Sequence, residues 1–352
     1  MVVDFVVNDD AVGAGVGETS QDGVISRKEA LFVAVDRAPV TGRFLLSFDC
    51  EGKWGMADDP SVIGQHPISN TSIRWAYELI FKILDQYEVP ATFGVVGLFA
   101  SDYERFRLID DELGWEGLYE DWFRFPKEAF RERNFEGWFF PDLVNRIRTR
   151  GFHEVSSHGL THLPFQTPLV SEKLVECEMR RMNELMKTKG VTLRTMIYPR
   201  NQIAYTDLLP KYGLQGFREC DLQNTAYGSK FAILRDELNL LKRSEAESKR
   251  TYPVPIASGI FLNWRHGPRR LIPRRATLQR WNHVLDHAQK SGGVAHLWLH
   301  PHNLITARDQ ADLFERCIEM VAQRVKNKVM TVMTLAEYCT SVSNGTSKSE
   351  NI

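Results

Sequence analysis

The stretch FLLSFDCEGKWG, residues 44–55, decides how the rest of the sequence is interpreted. It begins as an apolar, strand-like run and ends in two carboxylates, Asp49 and Glu51, with Cys50 between them. Residues i and i+2 of a strand share a face, so both carboxylates can reach one site while Cys50 points into the core. Two negative groups this close repel each other unless a proton, a cation or a metal ion lies between them. The stretch therefore favours a buried strand that ends at a functional site over a solvated strand edge.

The composition is that of an ordinary globular protein. Of the 352 residues, 43% are hydrophobic and 25% are charged, which is enough chain for a sizeable core. The 44 basic and 45 acidic residues give a net charge of −1, which does not indicate a nucleic-acid or membrane-surface partner. The five cysteines form no CxxC pair, no signal peptide is visible, and no apolar run reaches the roughly 18 residues of a membrane span. We therefore expect a cytoplasmic protein with reduced cysteines.

Strand-like runs alternate with amphipathic helical runs along the chain. The predicted strands are RFLLSF, ATFGVVG, FHEVSSHG, TLRTMIYP, QGFREC, VAHLWLH and KVMTV. Repeated alternation of this kind predicts a parallel α/β architecture, and polar residues that follow such strands predict a barrel-type site. We expect one domain at residues 41–340, an N-terminal extension at residues 1–40 and a disordered tail at residues 341–352.

Two segments, 99–140 and 222–275, fit no regular element and are predicted to be long insertions over one face of the fold. The first is rich in Trp, Phe and acidic residues, and the second contains the basic run from Arg265 to Arg275. That run is either a solvated loop or a binding element for an anionic substrate, such as a nucleotide-linked sugar or a uronic acid.

A histidine pair follows the third predicted strand. His158 and His162 lie four residues apart in SSHGLTHLPF, and on a helical turn this spacing lets both imidazoles bind one metal ion. Two histidines and a carboxylate form a ligand set that leaves metal positions open for water and substrate. The same spacing at His283 and His287 is interpreted as the face of an amphipathic helix. From the residues alone, the first pair is either a metal site or a pair of satisfied core histidines.

The order SFDCE, HGLTH, YPRNQ, LWLHPHN and VMTLAEY resembles the polysaccharide deacetylase family, also called the NodB-homology or carbohydrate esterase 4 family. The resemblance covers most of residues 43–340. It implies an α/β fold, an irregular (β/α)7 barrel with long loop insertions. It also implies an enzyme that removes N- or O-acetyl groups from sugars with the help of a divalent metal ion.

The resemblance implies a role for each matched residue. Asp49 would be the general base that takes a proton from the attacking water, and Arg200 would orient it. His300 would be the general acid, because it ends an apolar strand, with His302 as the rival. The metal ligands would be Glu51, His158 and His162.

Further residues are predicted to surround the substrate. Trp298 and Leu299 would wall the acetyl pocket, and His302 would lie close by. Trp54 either stacks on a sugar ring or belongs to the core.

Two departures from the family pattern leave alternatives open. The first two acids are separated by Cys50 rather than adjacent, and Arg200 follows Pro199 rather than preceding it. We expect a hydrolase acting on a sugar precursor of surface polysaccharide, such as lipopolysaccharide, with zinc as the metal and cobalt, nickel or iron as alternatives. A catalytically altered carbohydrate-binding protein on the same fold, or a hydrolase of another amide C–N bond, is the other interpretation.

Overall fold

A computed structural model of the chain describes residues 41–59, 68–113, 118–166, 170–220, 238–307 and 309–344. The predicted N-terminal extension at residues 1–40 lies outside these ranges, and so do residues 222–237 of the second predicted insertion. The last helix continues to Asn344, four residues past the predicted domain boundary at 340, and residues 345–352 of the predicted tail are not described.

The described strands form one curled sheet, open between its two end strands, in which every pair is parallel. The hydrogen-bonded order is β6-β5-β4-β3-β2-β1-β8-β7, and β9 pairs with the beginning of β1. The strands are β1 Gly42–Cys50, β2 Thr92–Val95, β3 Glu154–Ser157, β4 Thr195–Met196, β5 Gly216–Arg218, β6 Val254–Ile256, β7 Ile260–Phe261, β8 Val294–Leu299 and β9 Met330–Met333. This is the irregular (β/α) barrel that the sequence predicted. The short strands β6 and β7, inside the second predicted insertion, are the two that the sequence prediction missed.

Helices connect the strands. In the described ranges they are α1 Asn70–Tyr87, α2 Tyr103–Leu113, α3 Leu118–Arg131, α4 Leu143–Arg148, α5 Glu172–Thr188, α6 Arg274–Ser291, α7 Asn303–Thr306, α8 Gln310–Lys326 and α9 Leu335–Asn344. Local sequence explains where they begin: Ser69 caps α1 by accepting from the Ser72 backbone N–H, and Ser171 accepts from Leu174 at the start of α5. The first predicted insertion is largely helical, because it contains α2 and α3.

β1 is buried on both faces, which explains its continuous apolar run. Phe44, Leu46 and Phe48 join the large core between the sheet and the helices. Leu45 faces the inside of the curl, where it belongs to a second cluster with residues of α9. Beyond Leu45 on this inner face lie Ser47 and Asp49. The inner face of the strand therefore changes from apolar to polar towards its carboxyl end. Among the helices of the described ranges, none offers the apolar length that a membrane crossing requires.

Candidate metal centre

Three potential metal ligands converge beyond the carboxyl ends of β1 and β3. Glu51 follows β1, and His158 and His162 lie in the loop after β3, with β2 between the two strands. Glu51 Oε2 lies 3.3 Å from His158 Nε2 and 2.8 Å from His162 Nε2. One ligand atom from each residue lies within 4.8 Å of the other two, and all three side chains are buried. The structure thus brings together the carboxylate and the imidazoles that the sequence singled out.

His158 presents the correct ring nitrogen to this centre. Its Nδ1 lies 2.7 Å from the backbone carbonyl of Ile197. A carbonyl only accepts, so Nδ1 carries the proton and the neutral ring offers its Nε2 lone pair to the centre. Burial disfavours a protonated ring, but Glu51 and Asp49 outweigh it and raise the pKa of His158 above its usual value. A cation bound at Nε2 would take the place of that proton.

His162 is held in an unusual backbone conformation, with φ at +65°. Its ring is 2% exposed, and neither ring nitrogen makes a hydrogen bond within the described residues, although Nε2 lies 2.8 Å from Glu51 Oε2. Burial keeps the pKa of His162 below its ordinary value, so the ring is neutral. Buried polar atoms without partners are rare. A neutral imidazole nitrogen left in this way, and pointed at a carboxylate, fits a metal ligand.

Glu51 completes the donor set because a glycine makes room for it. A Cβ at Gly55 would lie only 2.1 Å from Glu51 Oε1. Burial alone would raise the pKa of Glu51, but His300, His162 and His158 outweigh it and hold the pKa well below the usual range. A divalent metal requires an ionised carboxylate and neutral imidazoles; the pKa shifts of Glu51 and His162 favour these states, whereas at His158 a metal would compete with a proton.

Asp49 lies on the same inner face of β1 and is bound by Arg218 of β5. The two guanidinium nitrogens of Arg218 donate to Oδ1 at 2.7 Å and Oδ2 at 2.8 Å. Arg218 also donates to Ser47 Oγ and Asn201 Oδ1, and its guanidinium lies 4.4 Å from the ring centre of Trp298. Burial would raise the pKa of Asp49, but Arg218 and the nearby histidines lower it overall.

The structure therefore corrects the role predicted for Arg200. Arg200 pairs with Asp58 and lies over the ring of Trp122 at 5.0 Å, whereas Arg218 holds Asp49. The motif order did not include Arg218. The available signal was an arginine in the apolar strand GFR, because a buried arginine needs an acidic partner.

His300 faces the two carboxylates from the end of β8. Its Nε2 lies 3.5 Å from Glu51 Oε1 and 3.9 Å from Asp49 Oδ2, and its side chain is 24% exposed. The ring of His302 stacks against His300 with centroids 5.0 Å apart. The preference for His300 as the acid remains a prediction, supported by its contacts with both carboxylates.

Two residues predicted to contact substrate are core residues instead. Trp54 is completely buried, its indole N–H donates to the Trp138 carbonyl at 2.7 Å, and its ring packs among phenylalanines. Leu299 is also completely buried and joins the outer core, because adjacent residues of β8 point to opposite faces. Trp298, half-buried against Arg218 and Phe261, is still available as part of the pocket wall.

Both the sequence and the fold of this chain are similar to those of known proteins. Residues 70–215 match the sequence profile of the polysaccharide deacetylase family. The family resemblance seen in the motifs is therefore confirmed. The match supports hydrolytic deacetylation of a sugar as the class of reaction. No curated protein matches the chain.

Several solved structures are similar to this fold. A candidate polysaccharide deacetylase from Mycobacterium smegmatis superposes with a TM-score of 0.55 at 14% identity, over 89% of this chain and 94% of that one. A family 4 acetyl xylan esterase from Clostridium thermocellum has a TM-score of 0.42 at 13% identity, over 85% and 91% of the two chains. A family 4 carbohydrate esterase from Streptomyces lividans has a TM-score of 0.41 at 12% identity, over 83% and 91%. At this identity, the Mycobacterium structure shows a shared fold.

Proposed function

We propose that this protein is a metal-dependent hydrolase that removes an acetyl group from a sugar. The observation that carries the proposal is the convergence of Glu51, His158 and His162 beside the arginine-bound Asp49. The family match at residues 70–215 independently supports the same class of reaction.

The metal ligands would be Glu51, His158 and His162. When bound, a divalent cation polarises the acetyl carbonyl and lowers the pKa of a water molecule. The chain's own contribution begins with Asp49, which Arg218 keeps ionised and fixed in orientation through two hydrogen bonds. Each carboxylate oxygen keeps a second acceptor position, so Asp49 can still take a proton from the attacking water.

His300 serves as the acid on the leaving-group side. An amine is a poor leaving group unless it is protonated as the C–N bond breaks, and histidine is the side chain best suited to this near neutral pH. His300 Nε2 is the atom that would deliver the proton, and its partial exposure lets a sugar approach it. Trp298 would line the acetyl pocket beside it.

The finer parts of the proposal concern the substrate and the setting. We propose an N-acetylated sugar precursor of surface polysaccharide as the substrate, zinc as the metal and the cytoplasm as the location. Asp49 does have an arginine partner, because Arg218 binds it in place of Arg200. This contact argues against the alternative of a catalytically altered binding protein.

A chelation and substitution experiment tests the proposal. The purified protein should hold about one divalent ion per chain and hydrolyse N-acetyl sugars, lose activity with a chelator, and regain it with zinc, cobalt or nickel. Asp49→Asn should keep the ion and lose at least about 100-fold in kcat, because the proton acceptor is gone. A protein that binds no divalent ion, or an active Asp49→Asn variant, would overturn the assignment.

A further inference from the structure

Glu178 of α5 is a buried carboxylate that the proposed chemistry does not use. It is 1% exposed, yet it accepts three hydrogen bonds from the loop that carries the two histidine ligands. Its Oε2 accepts from the backbone N–H groups of Leu160 at 3.0 Å and Thr161 at 3.2 Å. Its Oε1 accepts from the Thr161 hydroxyl at 2.6 Å. All three donors lie between His158 and His162.

The rest of this ligand loop, residues 158–162, is anchored by other elements. Four further contacts are His158 N–H to the Val95 carbonyl, Gly97 N–H to the Gly159 carbonyl, Leu98 N–H to the Leu160 carbonyl and the Trp122 indole N–H to the Thr161 carbonyl. These contacts hold the side of the loop that faces β2 and α3. The Leu160 and Thr161 N–H groups are completely buried on the other side, and Glu178 is the acceptor that satisfies them.

The loop needs this anchoring because its backbone is strained. It turns through Gly159 at φ +77° and His162 at φ +65°. Glycine tolerates the left-handed region freely, whereas residues that carry a Cβ, including histidine, adopt it much less often. Such a residue keeps this conformation only when the surrounding contacts fix it. Glu178 supplies three of these contacts.

We infer that Glu178 is a positioning residue for the metal centre. It fixes the loop so that the Nε2 atoms of His158 and His162 lie beside Glu51 Oε2. The inference rests on the proposed function, because it concerns the affinity of this centre for its metal. Partners that orient metal ligands in this way typically contribute about 10- to 100-fold to metal affinity. Glu178 itself lies behind the loop and takes no part in the reaction.

Two variants of Glu178 separate geometry from charge. Glu178→Ala removes all three acceptors and should weaken zinc binding about 10- to 100-fold. Glu178→Gln should retain most of the affinity, because its amide oxygen still accepts from the two N–H groups and its NH₂ can donate to the Thr161 hydroxyl. Zinc affinity is measured by competition with a chromophoric chelator, and the absorption spectrum of the cobalt-loaded protein reports ligand geometry.

Glu154→Ala is the matched control. Glu154 also accepts three hydrogen bonds, from Thr92 Oγ1, Thr195 Oγ1 and the Ala336 N–H, but it lies at the beginning of β3 rather than beyond its end. Its loss should lower the thermal unfolding midpoint of the metal-free protein and leave zinc affinity unchanged. A purely structural role for Glu178 would make Glu178→Ala behave in the same way.

The outcomes separate the two proposals. Wild-type protein that binds no divalent ion overturns the proposed function and this inference together. Wild-type protein that binds zinc, with unchanged affinity and cobalt spectrum in Glu178→Ala, overturns the inference alone. If Glu178→Ala does not fold, Thr161→Val removes only the 2.6 Å hydroxyl contact, and its zinc affinity should fall several-fold. Unchanged affinity in that variant would also overturn the inference.

Discussion

The two ends of the same sheet carry carboxylates whose pKa values shift in opposite directions. Beyond the carboxyl end, Glu51 contacts imidazoles, and its pKa is held well below the usual range. At the amino end, Glu154 contacts hydroxyl and amide donors, and burial raises its pKa despite them. Desolvation raises the pKa at both positions, so the partners decide the net direction of the shift. In barrel folds the carboxyl end carries chemistry and the amino end carries stability.

Glu154 shows what the amino end does with its polar groups. Its carboxylate accepts from Thr92 and Thr195 on neighbouring strands and from the Ala336 N–H in the first turn of α9. These bonds hold α9 against the inner apolar cluster that contains Leu45. The polar groups at this end therefore satisfy one another, whereas those at the carboxyl end direct a carboxylate and two imidazoles towards one another.

Removing a ligand should produce the largest difference between the two ends. Glu51→Ala takes away the carboxylate that contacts both histidines, so we expect loss of bound metal and a fall in activity of at least about 1,000-fold. Metal content by elemental analysis and turnover on an N-acetyl sugar measure the effect. The control, Glu154→Ala, should retain both metal and turnover. Full metal occupancy in Glu51→Ala would place the centre elsewhere.

Replacing Arg218 should have the next largest effect. Arg218→Ala leaves Asp49 buried without its partner, so we expect about 3–5 kcal/mol less stability and about 100-fold or more loss in kcat. Arg200→Ala removes a partly exposed ion pair with Asp58 and should cost about 1 kcal/mol or less. Urea unfolding and steady-state kinetics measure both variants. Equal losses of kcat in the two variants would contradict the assignment of Arg218 to Asp49.

The sequence predicted that Glu51, His158 and His162 would converge because each of these residues follows a recognisable strand. Asp49 and Glu51 lie at the end of the first predicted strand at i and i+2 spacing. His158 and His162 follow the third predicted strand. Parallel strands bring these ends to one edge of a sheet, so chain order alone predicted their proximity. The same reasoning placed Cys50 in the core, where the structure finds it completely buried.

Other features depend on information that a strand's own sequence does not contain. Trp298 and Leu299 both belong to an apolar strand, and a strand buried on both faces gives no alternation to show which residue points inward. Arg218 belongs to β5 and Asp49 to β1, and the strands β4, β3 and β2 lie between them in the sheet. Strands β6 and β7 have only three and two residues, and they lie in the segment 222–275, whose sequence fits no regular element.

Two glycines, Gly55 and Gly151, allow a finer comparison of the two ends of the sheet. A Cβ at Gly55 would collide with the Glu51 carboxylate, so Gly55→Ala should weaken zinc binding about 10-fold or more. Gly151, before β3 at the amino end, has φ at +77° and no atom within 4 Å of an added Cβ. Gly151→Ala should therefore cost about 1–2 kcal/mol through backbone strain and leave zinc affinity unchanged. Equal zinc affinities in the two variants would show that Glu51 can move without consequence.

The last expected effect concerns pH and the amino end alone. His153 accepts from the Ala91 N–H through Nδ1, and burial lowers its pKa to about 4. The unfolded chain has a histidine pKa of about 6.5, so it binds the proton more readily, and stability falls as pH decreases from about 6.5 towards 4. Between pH 7 and pH 5 the loss from this residue should be about 2 kcal/mol. Urea unfolding of His153→Gln should show a correspondingly flatter pH dependence than the wild type, with zinc affinity at pH 7 unchanged; identical slopes would mean that His153 titrates alike in both states.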